Sequence, residues 1–339
     1  MRSPWRRIGA VLSATALLIG ITACSSSSDD NDGLLIYNAQ HESLTKEWID
    51  AFTKATGIKV TYRQGGDTEL GNQLIAEGAS SRADVILTEN SPAMAAVEKA
   101  GLFADVDQAT IAQVPAQYRP ATNKWTGVAA RTTVFAYNKS KLTEDQLPKS
   151  IMDLEQPAWK GRWGAPPVKP DFQAIVAAML ELTGEPATSA WLTGMKTNAE
   201  IFQDNIATLR AINAGEVDGG VIYHYYWFRD QASTKEISGN TALHYFRNSD
   251  PGAFVSLSGG GVLKSSKKKE QAQQFLTFIT SKAGQDVLAT GTSFEYPVAS
   301  DVPANPALVP LADLRAPDVN PSDLDAQKVT DLMTKAGLL

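Results

Sequence analysis

The sequence predicts an α/β fold of two doubly wound lobes joined by more than one crossing segment. Three observations predict it. Short apolar runs alternate with amphipathic helical stripes from residue 34 to residue 100. A second block of the same kind starts near residue 163. Between the blocks lies a long apolar, β-rich segment, residues 128–137, suited to crossing from one lobe to the other. Strands separated by helices imply parallel pairing, right-handed crossovers and a sheet covered on both faces. Lobes joined in this way open and close as hinged clamps.

In the first block, Leu34-Leu35-Ile36-Tyr37 reads as a buried strand. Leu44, Trp48, Ile49 and Phe52 form a helical stripe that Gly57 closes. Strands follow at 58–62 and 84–87, with helices at 70–77 and 92–100. In the second block a short strand at 163–165 precedes helices at 172–182, 189–196 and 206–214 and a strand at 219–222. Residues 254–263 read as a return strand, then helices at 270–279 and 285–288. Pro303, Pro306, Pro310, Pro317 and Pro321 mark an irregular stretch before a last helix near 324–332. The expected lobes are residues 33–131 with 256–306 and residues 132–255 with 307–339.

The N-terminus is an address. Arg2, Arg6 and Arg7 precede an apolar run, residues 8–21, which is short of the ~20 residues a membrane span needs. The run ends in Ile21-Thr22-Ala23-Cys24, which resembles a bacterial lipobox, and Cys24 is the chain's only cysteine. Residues 1–23 are therefore expected to be a lipoprotein signal peptide and Cys24 the lipidated first residue. Residues 24–32, rich in Ser and Asp, are expected to be a flexible tether. The expected location is extracytoplasmic, on a bacterial cell membrane at the surface or in the periplasm.

The whole chain carries a formal charge of −6, and loss of three arginines with the leader deepens the acidic excess. That disfavours nucleic acid, which requires clustered Lys and Arg. One cysteine allows no intramolecular disulfide and no thiolate metal cluster. No G-x-S-x-G elbow, P-loop or H-E-x-x-H is present.

Ligands in open α/β sheets bind beyond the carboxyl ends of the strands. Three strand ends here carry Asn38-Ala39-Gln40-His41-Glu42, Thr88-Glu89-Asn90 and Tyr223-His224-Tyr225-Tyr226-Trp227-Phe228. Taken singly, each has a structural reading: a loop histidine, a helix N-terminal charge, an aromatic run in a core. Taken together they offer hard, anionic oxygen donors, which suit a hard, highly charged cation. Neutral His41, one carboxylate and two phenolates sum to −3, the charge that balances a trivalent ion. A free phenol has a pKa of ~10, so the ion itself must drive deprotonation.

At these residues the sequence resembles the ferric-iron-binding proteins of bacterial ABC importers. The match runs through Tyr37-Asn38-Ala39-Gln40-His41, Ala83-Asp84-Val85-Ile86-Leu87-Thr88-Glu89 and Tyr225-Tyr226-Trp227. It continues through Asp250-Pro251-Gly252-Ala253, Val262-Leu263-Lys264-Ser265-Ser266 and Glu295-Tyr296-Pro297. The resemblance implies a two-lobed periplasmic-binding-protein fold and Fe³⁺ held by His41, Glu89, Tyr225 and Tyr226. It implies a monomer that hands its cargo to an ABC permease.

The resemblance also implies a small synergistic anion such as carbonate or phosphate. The family's phosphate loop reads Thr-Ser-Gly-Ala-Phe, whereas this chain has Val168-Lys169-Pro170-Asp171-Phe172. A family asparagine is replaced by Tyr223, and Asn205 matches a second. Some relatives place an arginine near carbonate, in the strand that holds Arg131. Arg131, Asn205 and Lys169 are therefore the anion candidates; Arg131 and Lys169 equally read as surface or salt-bridge residues. Two other functions stay open on the sequence: the same fold binding thiamine, a phosphonate or a sugar, and a secreted enzyme.

Overall fold

The computed structural model describes residues 33–339. The expected signal peptide, Cys24 and the tether lie outside the described residues. Strand β1 (Leu34–Asn38) leads into helix α1 (Glu42–Thr56), whose buried face is Leu44, Trp48, Ile49 and Phe52. Gly57 ends α1 at φ 77°, a left-handed conformation that glycine adopts without the Cβ clash. Then come β2 (Val60–Gln64), α2 (Asp67–Glu77), β3 (Val85–Thr88) and α3 (Ser91–Lys99). Helix α4 (Gln108–Gln113) leads to the long strand β4 (Thr126–Asn138), buried along its whole length.

The second block holds β5 (Trp163–Ala165), α5 (Pro170–Asn198), β6 (Ala199–Ile201), α6 (Asn205–Ala214), β7 (Gly219–Tyr223), α7 (His224–Ala232) and β8 (Thr241–His244). Within α5, Gly184 breaks the helical dihedrals at φ 80°, so the two helices expected there are two segments across a kink. Strand β9 (Val255–Val262) returns the chain, followed by α8 (Lys269–Thr280), α9 (Lys282–Thr290), α10 (Leu311–Leu314) and α11 (Ala326–Lys335). Among the described residues, no helix is long and apolar enough to cross a membrane.

The strand order is β2-β1-β3-β9-β4-β7-β5-β6, with β8 also on β4. Strand β4 joins two half-sheets. Its first part, through Thr132, pairs with β9; from Thr133 it pairs with β7 and β8. Both half-sheets are covered on both faces. In the first, Leu34, Ile36, Val85 and Leu87 pack toward α1, α8 and α9, while Tyr37 and Ile86 pack with Leu70, Leu74, Met94 and Trp125. In the second, Val134, Ala136 and Ile222 pack with α6, while Phe135 and Val221 pack with Trp163 and Trp191. Beyond the switch β4 alternates, with Val134 and Ala136 on one face and Phe135 and Tyr137 on the other, feeding cores on both sides of the second half-sheet.

Parallel pairing holds for β1 with β2 and β3, and for β5 with β6 and β7. The crossing strands differ from that expectation: β4 and β9 pair antiparallel with their neighbours. Each reaches its place from the other half-sheet, so no helical crossover sets its direction. Strands β6 and β8, of three and four residues, are mostly unburied and so lack the apolar run that reveals the equally short β3 and β5. Where β9 passes α3, a Cβ on Gly259 would sit 2.3 Å from Met94 Cγ, so only glycine admits this approach.

Candidate metal centre

The four residues expected to bind metal converge. His41 caps α1 just beyond β1. Gln40 fixes it: Gln40 Oε1 accepts from the His41 amide at 2.6 Å, and Gln40 Nε2 donates to Ser258 Oγ of β9 at 2.6 Å. Glu89 follows β3, and its amide donates to Asp67 Oδ1 at 2.8 Å. His41 Nδ1 then lies 3.0 Å from Glu89 Oε1. His41 Nε2 is buried and has no protein partner.

Tyr225 and Tyr226 come from the first turn of α7, beyond β7. Their rings lie 4.3 Å apart at 32°, nearly side by side rather than splayed by the ~100° of adjacent helical positions. Both hydroxyls donate to the same oxygen, Asp171 Oδ2, at 3.3 and 3.0 Å. The shared acceptor draws the two phenols together. The His41 ring meets Tyr225 edge-on, with centroids 5.1 Å apart, so residues beyond opposite half-sheets touch.

Asp171 was not singled out by the sequence. It sits in the first turn of α5, after Pro170, and is buried. Asn90 Nδ2 donates to its Oδ1 and Asn205 Nδ2 to its Oδ2, both at 2.9 Å. Asn90 also donates to Asp67, at 3.0 Å. The available signal was an acidic residue in the segment where the resembling family has its anion loop.

The three anion candidates do not form one pocket. Asn205 is engaged with Asp171. Arg131 is fully buried and donates to the Glu295 carboxylate, Ser258 Oγ and the Glu89 carbonyl. Lys169 is exposed at the start of α5, away from these contacts. The His224 ring meets Tyr225 edge-on at 5.9 Å, but both its nitrogens are engaged: Nδ1 accepts from the Thr132 amide and Nε2 meets the Phe294 carbonyl at 2.7 Å; His244 lies in β8.

Electrostatically the site is rich in acidic groups. Burial raises the Asp67 carboxyl, and the Glu89 charge raises it further, to about 8. Burial and Glu89 also raise Asp171. Burial disfavours a charged Glu89, but His41 and Arg131 outweigh it and hold the carboxyl low. Burial, then Asp171, holds both phenols well above their ordinary range. Arg131, the one arginine in the cluster, is answered by Glu295. Three carboxylates and two phenols therefore crowd a space with little positive charge of its own, the electrostatic condition for holding a cation. Among the described residues no cluster of three or more His, Cys, Asp or Glu is arranged for a metal, so the donor set depends on the phenols.

A profile of the bacterial extracellular solute-binding proteins matches residues 80–322. The chain belongs to this family. This solute-binding protein is 58% identical over 328 residues to the Fe(3+)-binding periplasmic protein of Serratia marcescens, covering 97% of this chain and 96% of that one. It is 35% identical over 325 residues to the major ferric iron-binding protein of Neisseria meningitidis serogroup B, with 95% and 97% covered. Iron-bound HitA from Pseudomonas aeruginosa superposes with a TM-score of 0.84 at 42% identity, covering 90% of this chain and 99% of that one. These relatives are binding proteins, and this chain is a binding protein rather than an enzyme.

Proposed function

We propose that this solute-binding protein captures ferric iron with His41, Glu89, Tyr225 and Tyr226 and delivers it to the permease of an ABC importer. The observation that carries the proposal is the convergence of these four donors on a buried cluster of acidic groups. The iron-binding names of its relatives support the same cargo.

In the empty site both phenols are neutral and donate to Asp171. A trivalent ion expels those protons and turns the phenols into hard anionic ligands. Asp171 Oδ2 then loses its two hydroxyl donors and can face the ion as a further oxygen. A carboxylate of the chain thus stands where a small anion was expected. His41 must be neutral to bind, and its Nε2 has no competing partner. A phosphonate would add negative charge and a sugar none, and the single thiazolium charge of thiamine falls short of what one carboxylate and two phenolates can answer, which favours the metal.

The rest of the reading is proposed with it. The β4 switch and β9 act as hinges between lobes at 33–131 with 256–306 and 132–255 with 307–339. Cys24 carries the lipid, residues 25–32 are the tether, and the protein works as a monomer beside the membrane. Titration with ferric citrate, followed in visible light and by metal analysis, tests the cargo. One iron per chain with a tyrosinate charge-transfer band is expected; iron bound without that band, or no iron, would sink the proposal.

A further inference from the structure

We infer that Arg131 and Glu295 are positioning residues that hold Glu89 ready for the ion. The inference rests on the ferric reading above and concerns how the first half-sheet presents its ligands. Arg131 lies at the point where β4 changes partner. It is in register with Ser256 of β9, while Thr133, two residues on, is in register with Tyr223 of β7.

The guanidinium fork is divided. Nη1 donates to the Glu89 carbonyl and stands 4.0 Å from Glu89 Oε2. Nη2 donates to the Glu295 carboxylate and to Ser258 Oγ. Glu295 is fully buried and comes from the segment after α9, which the Ala130–Tyr296 bridge fastens to β4. One side chain therefore ties together the end of β3, β4, β9 and this segment. Ser258 passes the tie onward: it accepts from Gln40 Nε2, and Gln40 Oε1 holds the His41 amide.

A ligand on a loop end is only as well aimed as its backbone. Here the loop carbonyl of Glu89 is gripped directly, and its carboxylate is left pointing at His41. Because Glu295 answers the arginine's charge, Arg131 can grip Glu89 without neutralising the carboxylate meant for the ion. A buried ion pair of this kind is costly to leave half made, so the arrangement exists before the ion arrives. Lysine keeps the charge but lacks the planar fork that serves several acceptors at once.

The test is a double-mutant cycle on full-length protein. Arg131→Lys and Glu295→Gln are each made alone and with Glu89→Gln, and iron release to excess chelator is followed by stopped flow on the charge-transfer band. Arg131→Lys alone is expected to speed release about 10–100-fold, the usual effect of losing a partner that orients a metal ligand. Arg131 also lies 5.5 Å from the centre of the Tyr225 ring, so the band is read beside the rate: an unshifted band is expected, and a shifted one would mean that Arg131 acts on the tyrosine rather than through Glu89. With Glu89→Gln already present, the same change should alter release by no more than about twofold, since residues acting through one contact are not additive. Release at the unmodified rate, or full acceleration that persists without Glu89, overturns the inference. If Arg131→Lys does not fold, Glu295→Gln, which conserves shape, is read against the same two outcomes. Failure of the ferric reading is separate, because the unmodified protein would then show no band.

Discussion

His41 and Glu89 meet at 3.0 Å across the ends of β1 and β3, and the other ring nitrogen of the histidine has no protein partner. Burial pulls the imidazole pKa down, but the Glu89 charge and hydrogen bond outweigh it, so His41 lies above its ordinary 6.5. A proton therefore competes with iron already near neutrality, since a ligand nitrogen must be unprotonated.

Iron affinity is expected to fall as pH drops from about 7.5 to 5.5, around the ordinary imidazole range. Glu89→Gln removes the charge that raises His41 and should move the fall to lower pH while weakening binding overall. Chelator competition at a series of pH values checks this; a flat profile in the unmodified protein contradicts it.

Tyr225→Phe and Tyr226→Phe each remove a phenolate and keep the ring in its packing. Each is expected to weaken iron binding at least about 100-fold, beyond the loss usual for a mere orienting partner. The melting temperature of the iron-free protein should change little. Unfolding instead would place the rings in a purely structural role.

Asp171→Asn tests whether the buried carboxylate is a donor to the ion. The expected result is a loss of iron affinity of about 10-fold or more, with a shifted charge-transfer band. An unchanged band and affinity would confine Asp171 to holding the phenol protons of the empty site.

His224 governs a separate response of the iron-free protein. Burial lowers its pKa to about 3, against an ordinary 6.5. The unfolded chain takes up a proton that the folded chain refuses, so its contribution to stability is complete above pH 6.5 and is lost as pH falls toward 3. Asp67, raised to about 8, works in the opposite sense, so the informative quantity is a difference. Calorimetry from pH 7 to 4 should show the unmodified protein losing stability relative to His224→Gln. A constant gap between the two would refute the assignment.

The clamp can be tested by small-angle scattering. His41 and Glu89 come from the first half-sheet, Tyr225 and Tyr226 from the second. Iron is expected to reduce the radius of gyration of an open iron-free form. The His41→Ala, Glu89→Ala double variant should keep the tyrosinate colour but lose the contraction, because only the first-half ligands would draw the lobes together.

Much of this protein was legible locally. The stripe Leu44, Trp48, Ile49 and Phe52 announces α1 because its spacing follows the helical turn. Residues 84–87 announce β3 because a strand buried on both faces reads as an unbroken apolar run. The strand-end rule brings His41, Glu89 and the tyrosines to one crevice. Strands β6 and β8 are not legible because they are both short and largely unburied, so they lack the buried run that marks the equally short β3 and β5.

Sequence alone determined the alternation of strands and helices and the hard-donor chemistry at three strand ends, since both depend on residues close together in the chain. Only the tertiary structure decided that β4 and β9 run antiparallel, that both tyrosines share Asp171, and that Arg131 pairs with Glu295. Asp171 is 54 residues from Tyr225, and Arg131 is 164 residues from Glu295. Nothing in a local pattern states which distant segments meet. A buried charge takes its partner from whatever the packed fold brings within reach, because leaving it unpaired is costly.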